Sequence, residues 1–94
     1  MGMTFVIQYA EEVVKEDIPK LSSDVKKRIR VAIEKKLTTE PEKFGKPLRK
    51  SLKGYRKLRV GNYRVIFRIE KKLIKIFAIG HRSVIYGDAQ KRLN

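Results

Sequence analysis

Residues 55–79 contain three short β-prone runs, and the links between them are only two residues long. The first link is Gly61-Asn62 and the second is Lys71-Lys72. A two-residue link joins neighbouring antiparallel strands, and a Gly at its first position supplies the positive φ that such a turn needs. The sequence therefore predicts an antiparallel meander. Its three strands are Tyr55–Val60, Tyr63–Ile69 and Leu73–Ile79.

Two-residue links also predict the register of the meander. The expected cross-strand pairs are Val60 with Tyr63, Leu58 with Val65, Arg59 with Arg64, Phe67 with Ile76, and Arg68 with Lys75. Side chains alternate between the two faces of a sheet. One face is therefore expected to be apolar, with Leu58, Val60, Tyr63, Val65, Phe67, Ile69, Ile74, Ile76 and Ala78. The opposite face is expected to hold Lys57, Arg59, Arg64, Arg68 and Lys75, together with Ile66, Phe77 and Ile79.

The predicted register places Arg59 directly across from Arg64. Like charges in this position destabilise a sheet, so local stability does not account for the arrangement. An anion bound between the two guanidinium groups would account for it. The alternative is an ordinary solvated sheet face on which the long side chains splay apart.

Upstream of the meander, the pattern predicts one strand and two helices. The strand is Thr4–Gln8, and the first helix is Ala10–Ile18, stopped by Pro19. Ser22 or Ser23 is expected to cap the second helix. This helix carries one apolar stripe at helical spacing, made of Val25, Ile29, Ala32, Ile33 and Leu37. The segment Thr38–Pro47 contains two prolines and Gly45, and it predicts a loop with at most a turn of helix.

The apolar sheet face must be buried, and the two helices are the available cover. The sequence thus predicts an α+β fold in which two N-terminal helices pack on one face of a mainly antiparallel, four-stranded sheet. Its 94 residues suit one domain, 1–94. No run approaches the roughly 20 apolar residues of a membrane span, and MGMTFVIQYAEE lacks the pattern of a signal peptide. Without Cys, no disulfide or Cys-based zinc site is expected. These features favour a soluble, cytoplasmic protein.

The net charge of +14 is confined to the second part of the chain. Residues 1–42 hold eight basic and eight acidic side chains, whereas residues 43–94 hold sixteen basic residues against Glu70 and Asp88. A block this one-sided repels itself unless a polyanion or an acidic partner neutralises it. Nucleic acid is the first candidate, because neutralised phosphates release counterions. Heat adaptation would scatter both signs of charge, and a membrane-binding surface would require a long basic helix.

Three pieces of the C-terminal half carry a resemblance to a known family: GKPL, LKGYRKLRVGNYRVIF and IGHRSVIY, within Gly45–Tyr86. The chain resembles the RelE/ParE superfamily of toxins from type II toxin–antitoxin modules. This resemblance implies a fold like that of the microbial ribonucleases. It also implies one of two activities. RelE-like members cleave messenger RNA in the ribosomal A site, whereas ParE-like members poison DNA gyrase. A non-catalytic RNA-binding module on the same fold is a third hypothesis.

A comparison of individual residues with the pattern of RelE-like nucleases favours the RelE-like branch. Two basic residues at alternate positions precede the hairpin, a Tyr-Arg pair follows it, an Arg follows the last strand, and a Tyr follows that Arg. The resemblance therefore implies five catalytic residues: Lys57, Arg59, Arg64, Arg82 and Tyr86. Three residues separate Arg82 from Tyr86, a shorter spacing than in RelE.

The resemblance implies cleavage by the RNA's own 2′-OH, which requires a base, an acid and positive charge for the developing phosphorane. Lys57 is the candidate base, because Arg stays charged while Lys titrates. Arg64 and Arg82 would grip the phosphate through forked N–H donors, and Tyr86 would stack on a base or orient the nucleophile. No metal or other cofactor is expected. Further RNA contacts are predicted at Lys53, Arg56, Arg68, Lys75 and His81, where His81 is either a proton-transfer group or a structural hydrogen-bonding residue.

Toxin membership also implies partners. A cognate antitoxin, acidic or amphipathic, would wrap the basic surface and fold as it binds. The ribosomal A site, with its ribosomal RNA, and the messenger are the expected targets of a RelE-like member. Operator DNA is expected to be contacted only through the complex with the antitoxin, and no membrane partner is expected.

Overall fold

A mainly antiparallel sheet forms the centre of the computed structural model, which describes residues 4–93. Its strands are β1 (Val6–Tyr9), β2 (Lys46–Pro47), β3 (Arg56–Val60), β4 (Tyr63–Glu70) and β5 (Leu73–His81). Their spatial order is β1-β5-β4-β3-β2. β1 runs parallel to β5, and all other neighbours are antiparallel. The sheet has one strand more than the sequence predicted, because β2 pairs with β3 inside the segment that was expected to be a loop.

The helical segments surround this sheet. They are a π-helical segment (Val13–Asp17) with a 3₁₀ turn (Ile18–Lys20), α1 (Ser23–Ala32) continued by a π-helical segment (Ile33–Leu37), α2 (Pro41–Phe44), a 3₁₀ turn (Lys50–Leu52), and α3 (Ile85–Leu93). Ser22 caps α1 as predicted, since its hydroxyl accepts a hydrogen bond from the Val25 N–H at 3.3 Å. Within residues 4–93, no helix is long and apolar enough to cross a bilayer.

The larger core lies between α1, its continuation and one face of the sheet, which we call the α1 face. The predicted apolar stripe of this helix is confirmed, because Ile29, Ile33 and Leu37 are at most 3% exposed. The buried side chains of this core are Val13, Ile29, Ile33, Leu37, Leu58, Val65, Phe67, Ile74, Ile76 and Ile79. Their burial from water is the main term that holds the helices on the sheet.

The opposite face of the sheet, which we call the α3 face, is not open to solvent along its whole length. The helix α3 and the turn Lys50–Leu52 cover its middle. A second core forms there from Leu52, Ile66, Ala78, Ile85 and Ala89. The expectation that only two helices cover the sheet was therefore incomplete. The missing element is α3, whose buried side chains are Ile85 and Ala89.

The predicted register is confirmed in β3 and β4, where Leu58 pairs with Val65 and Arg59 pairs with Arg64. Between β4 and β5 the predicted pairs of Phe67 with Ile76 and of Arg68 with Lys75 also form. The register then shifts by one residue: Ile66 pairs with Ala78, which leaves Phe77 as the extra residue of a β-bulge. The bulge reverses the alternation that follows it. Ala78 consequently belongs to the core of the α3 face and Ile79 to that of the α1 face, the opposite of the prediction.

An ion pair lies beside the bulge. Here β5 extends past the end of β1, which pairs only with residues 73–76, and its outer edge has no neighbouring strand in the described part of the chain. The guanidinium of Arg92 in α3 meets the Asp17 carboxylate through two bonds, Nη1 to Oδ2 at 2.8 Å and Nη2 to Oδ1 at 2.6 Å. Asp17 also accepts the Ile79 N–H, and Arg92 donates to the Phe77 carbonyl at 3.1 Å. The hydrogen bond to Asp17, opposed in part by burial, raises the pKa of Arg92 above its ordinary value. The pair thus joins three segments of the chain and satisfies two backbone groups of β5, the Ile79 N–H and the Phe77 carbonyl.

A substitution at Gly45 tests the close packing around α2. A Cβ at this position would lie 2.3 Å from Phe67 Cζ and 2.9 Å from the Pro41 carbonyl oxygen. Because Phe67 is fully buried and cannot move aside freely, we expect Gly45→Ala to lower the free energy of unfolding by about 1–3 kcal/mol. Urea denaturation measures the change. The matched control is Gly87→Ala, where the new Cβ meets no atom within 4 Å and should stabilise α3 by about 0.5–1 kcal/mol. Equal effects of the two substitutions would contradict the packing argument.

Candidate active site

Basic side chains gather around a small cavity on the α3 face, at the end where β2, β3 and β4 meet. The cavity has a volume of about 160 Å³ and is lined by Phe44, Lys46, Lys57, Arg59 and Arg64. Three of these five residues were predicted as catalytic from the sequence. Among residues 4–93, none of the four cations forms an ion pair with a carboxylate. The cavity therefore presents concentrated positive charge to an incoming anion.

The hairpin between β3 and β4 positions the cations. Gly61 has a φ of +60° in the turn, a conformation that glycine adopts without steric cost. This turn brings Arg59 across from Arg64, and Lys57 follows on the same face two residues away. The Arg64 Nη1 donates to the carbonyl oxygens of Gly61 at 2.9 Å and Tyr63 at 2.8 Å. One edge of the guanidinium is thus anchored to the turn, and its other nitrogens have no acceptor within the part of the chain described.

Tyr86 reaches this region from α3. The Lys57 Nζ lies 5.6 Å from the centroid of the Tyr86 ring, a distance at which the ring attracts a cation. Tyr86 is half-buried and packs against the second core. The position of Tyr86 beside the basic strand therefore depends on α3, an element that the sequence analysis did not predict.

Arg82 lies beside the same hairpin rather than in the lining of the cavity. It directly follows β5, and its backbone N–H donates to the Asn62 carbonyl at 2.8 Å. Its side chain is exposed. Arg82 is therefore held near the turn by its backbone, while its guanidinium extends into solvent.

The predicted RNA contacts occupy several places. Arg56 pairs with Phe67 and therefore points to the α1 face, where its Nη1 donates to the Gly45 carbonyl at 3.0 Å. Arg68 and Lys75 share the α3 face with the cavity but lie near the opposite end of β4. Both form ion pairs with Glu70, at 3.1 Å for the Lys75 Nζ. Lys53 is exposed in the turn before β3.

His81 lies on the α1 face, across the sheet from the cavity. It pairs with Tyr63 in the ladder between β4 and β5, and the two rings meet edge to face with centroids 5.5 Å apart. Its Nδ1 accepts the Ser83 N–H at 3.1 Å and lies 2.8 Å from the Ser83 hydroxyl. This environment matches a structural hydrogen-bonding residue, the second of the two roles considered for His81.

Two residues of the cavity, Lys46 and Phe44, were not predicted from the sequence. Lys46 faces Lys57 across the β2–β3 ladder, so that the short strand β2 adds a fourth cation to the cavity. The available signal was the GKPL piece, in which Lys46 directly precedes Pro47. Because this segment was expected to be a loop, no face could be assigned to its side chains.

Comparison with solved structures shows the same fold in known toxins. The chain is 26% identical to a chain of the toxin–antitoxin complex RelBE2 from Mycobacterium tuberculosis, with a TM-score of 0.80 over 86% of this chain and 94% of that one. The chain is 28% identical to a chain of the RelB–RelE antitoxin–toxin complex from Methanococcus jannaschii. The TM-score is 0.65, and the match covers 83% of this chain and 93% of that one. A RelE mutant from Escherichia coli, 22% identical, shares the fold with a TM-score of 0.64 over 98% of this chain and 100% of that one.

Sequence comparison leads to the same superfamily. Toxin RelG of Mycobacterium tuberculosis is 42% identical over 52 residues, a stretch that spans 53% of this chain and 60% of RelG. Residues 8–86 match the family model described as the ParE toxin of the type II toxin–antitoxin system parDE. This match covers most of the chain. The protein therefore belongs to the ParE toxin family of type II toxin–antitoxin systems, within the RelE/ParE superfamily.

Proposed function

We propose that this toxin is a ribosome-dependent endoribonuclease that cleaves messenger RNA in the A site. The observation that supports the proposal is the cavity in which Lys46, Lys57, Arg59 and Arg64 converge without a carboxylate partner. Repulsion among these cations is relieved when a phosphate enters between them. The cavity volume of about 160 Å³ accommodates a phosphate group together with part of a sugar.

The arrangement suits attack by the RNA's own 2′-OH on the adjacent phosphorus. The bond from phosphorus to the 5′ oxygen breaks, which leaves a 2′,3′-cyclic phosphate and a 5′-OH. Arg59 and Arg64 would stabilise the developing charge on the phosphorane oxygens. Lys57 would take or return a proton. Tyr86 would orient a base beside Lys57, and the exposed Arg82 would hold the flanking phosphate.

A three-part incubation tests this function. We expect cleaved messenger when the toxin meets messenger with translating ribosomes, because the A site would position the scissile phosphate. We expect intact messenger when ribosomes are omitted. In the third incubation, with DNA gyrase and relaxed plasmid, supercoiling should proceed normally. Primer extension locates the cleavage, and gel electrophoresis follows the plasmid.

The third incubation addresses the second candidate function, a DNA gyrase poison. The description of the matching family model, a ParE toxin, favours this alternative. In that case the basic strand residues would carry no catalysis. Lost supercoiling with intact messenger would refute the nuclease proposal and support gyrase inhibition. RNA binding without messenger cleavage or lost supercoiling would support the third hypothesis, a non-catalytic RNA-binding module.

The proposed partners follow from the family. Two of the similar toxins were solved in complexes with their antitoxins, and we propose that this toxin also binds a cognate antitoxin. The toxin's net charge of +14 would favour an acidic antitoxin, which neutralises the basic surface. The toxin would act in the cytoplasm on ribosomes, and it would meet operator DNA only through the antitoxin.

A further inference from the structure

A second cavity lies on the α3 face, near the end of β4 that is farther from the candidate active site. Its volume is about 310 Å³, which suits a small ligand. The helix α3 and the turn Lys50–Leu52 separate the two cavities, because they cover the fully buried Ile66 between them. The residues that decide the chemistry of the second cavity are Gln8, Glu11, Tyr55, Arg68, Lys75 and Phe77. We call it the Tyr55 pocket.

Two aromatic rings, those of Tyr55 and Phe77, form one side of the Tyr55 pocket. Their centroids lie 4.9 Å apart, with an angle of 40° between the ring planes. Phe77 is the extra residue of the β-bulge in β5, and bulges next to functional sites often redirect a side chain. Both rings pack against the second core but stay half-buried. They therefore offer a firm apolar surface on which a planar ring can stack.

A row of three polar side chains runs across the sheet beside the two rings. Arg68 pairs with Lys75 across β4 and β5, and Lys75 pairs with Gln8 across β5 and β1. Paired residues point to the same face of a sheet, and neighbouring strands lie about 4.8 Å apart, so the row is about 10 Å long. The Arg68 guanidinium lies 5.6 Å from the centroid of the Tyr55 ring. The row thus brings two cations and one amide to the same pocket as the rings.

The cations of the Tyr55 pocket are only partly neutralised. Arg68 and Lys75 share the single carboxylate of Glu70, which the Lys75 Nζ meets at 3.1 Å. These three side chains together keep one positive charge. The Glu11 carboxylate is paired with Lys15 at 2.7 Å, so it does not cancel that charge. An anionic group is therefore attracted to the pocket.

We propose that the Tyr55 pocket binds an adenine nucleotide. The base would stack on the rings of Tyr55 and Phe77. The amide of Gln8, an exposed residue, would accept a hydrogen bond from the N6 amino group of adenine and donate one to N7, the pairing by which glutamine recognises adenine. The phosphate would bind Lys75 through charge-assisted hydrogen bonds. A free mononucleotide and an unpaired adenosine of an RNA strand share this chemistry.

Isothermal titration calorimetry with AMP in about 0.15 M salt tests this site. We expect the intact toxin to bind AMP with a Kd below about 1 mM. It should bind CMP at least about 5-fold more weakly, because cytosine has a smaller ring and lacks the N6 and N7 pair. Gln8→Leu should weaken AMP binding at least about 5-fold and remove its preference over CMP. Lys75→Gln should weaken AMP binding by about the same factor but leave adenosine binding within about 2-fold, because adenosine has no phosphate.

Two matched variants separate the Tyr55 pocket from general attraction to a basic surface. Lys72→Gln removes an exposed cation from the turn between β4 and β5, and Arg59→Gln removes one from the candidate active site. Both should bind AMP as the intact toxin does. Thermal melting verifies folding, and Gln8→Glu replaces Gln8→Leu if the latter fails to fold, because a carboxylate cannot donate to N7. The proposal is overturned if AMP does not bind, if Gln8→Leu and Lys75→Gln bind it normally, or if Arg59→Gln loses it.

Two RNA pentanucleotides distinguish the possible sources of the adenine. If UUAUU binds more tightly than both AMP and UUUUU, and Gln8→Leu removes the difference from UUUUU, the pocket binds an unpaired adenosine of an RNA strand. If UUAUU binds no more tightly than UUUUU while AMP binds, the ligand is a free mononucleotide. Both results support the site. None of these measurements uses ribosomes or messenger, so the adenine site and the proposed nuclease activity are tested separately.

Discussion

Arg64→Ala is expected to lower the rate of ribosome-dependent messenger cleavage by about 100- to 1,000-fold, the usual effect of removing one donor that stabilises transition-state charge. Arg64 lines the cavity together with Arg59 and Lys57, and two turn carbonyls hold its guanidinium in place. Alanine removes both the charge and the forked donor. Arg64→Lys should recover part of the rate, because it keeps the charge but not the planar fork.

The control for this prediction is Lys72→Ala, which removes an exposed cation from the other hairpin, at the far end of the sheet. It should leave the cleavage rate within about 2-fold of the unchanged toxin, since surface charges at that distance are screened by salt. Single-turnover cleavage on programmed ribosomes gives the rates, and thermal melting verifies the fold. Arg82→Ala should also lower the cleavage rate strongly, because it removes the cation proposed to hold the flanking phosphate. Full cleavage by either folded arginine variant would contradict the assigned roles.

Arg92→Leu is expected to lower the free energy of unfolding by about 3–5 kcal/mol, because removal of one partner from a buried ion pair leaves the other charge uncompensated. The charge left without its partner is the carboxylate of Asp17, a residue that is only 7% exposed. The substitution also removes the donor to the Phe77 carbonyl at the bulge. We expect the C-terminal part of α3 to lose its attachment to β5. Because Tyr86 belongs to the same helix, it should then be held less firmly beside Lys57.

Urea denaturation measures this loss, with Lys91→Leu as the matched control. Lys91 precedes Arg92 in α3 but is exposed, so its replacement should change the free energy of unfolding by less than about 0.5 kcal/mol. The double substitution Asp17→Leu with Arg92→Leu should cost less than the sum of the single changes, because neither charge then remains buried alone. A loss below about 1 kcal/mol for Arg92→Leu would show that the ion pair contributes little.

Local sequence was sufficient to predict the centre of the fold. The turn Gly61-Asn62 allows only one tight connection between its strands, and it placed Arg59 across from Arg64 as observed. The spacing of apolar residues likewise predicted which side of α1 faces the sheet, and the hydroxyl of Ser22 predicted where α1 begins. These features depend on residues that lie within a few positions of one another.

The remaining elements depend on contacts between distant segments. The strand β2 has two residues and exists through its pairing with β3, so that Lys46 had no predictable face. The helix α3 is held by its packing on Ile66 and Ala78 and by Arg92. The sequence analysis did not identify this helix, although its buried residues Ile85 and Ala89 have helical spacing. The position of Tyr86 beside Lys57 follows from that packing and not from the number of residues after Arg82.

For this protein, the sequence alone determined the basic strand pair, the register of its hairpin and the resemblance to a toxin superfamily. Each rests on local geometry or on residue identity. Only the tertiary structure decided which face His81 and Ile79 occupy, because the extra residue Phe77 reverses the alternation of β5. That bulge is stabilised from outside the strand, by Asp17 and Arg92 at its free edge. These two groups lie 62 and 15 residues away from their partners in β5, so the alternating pattern of β5 by itself does not reveal the bulge.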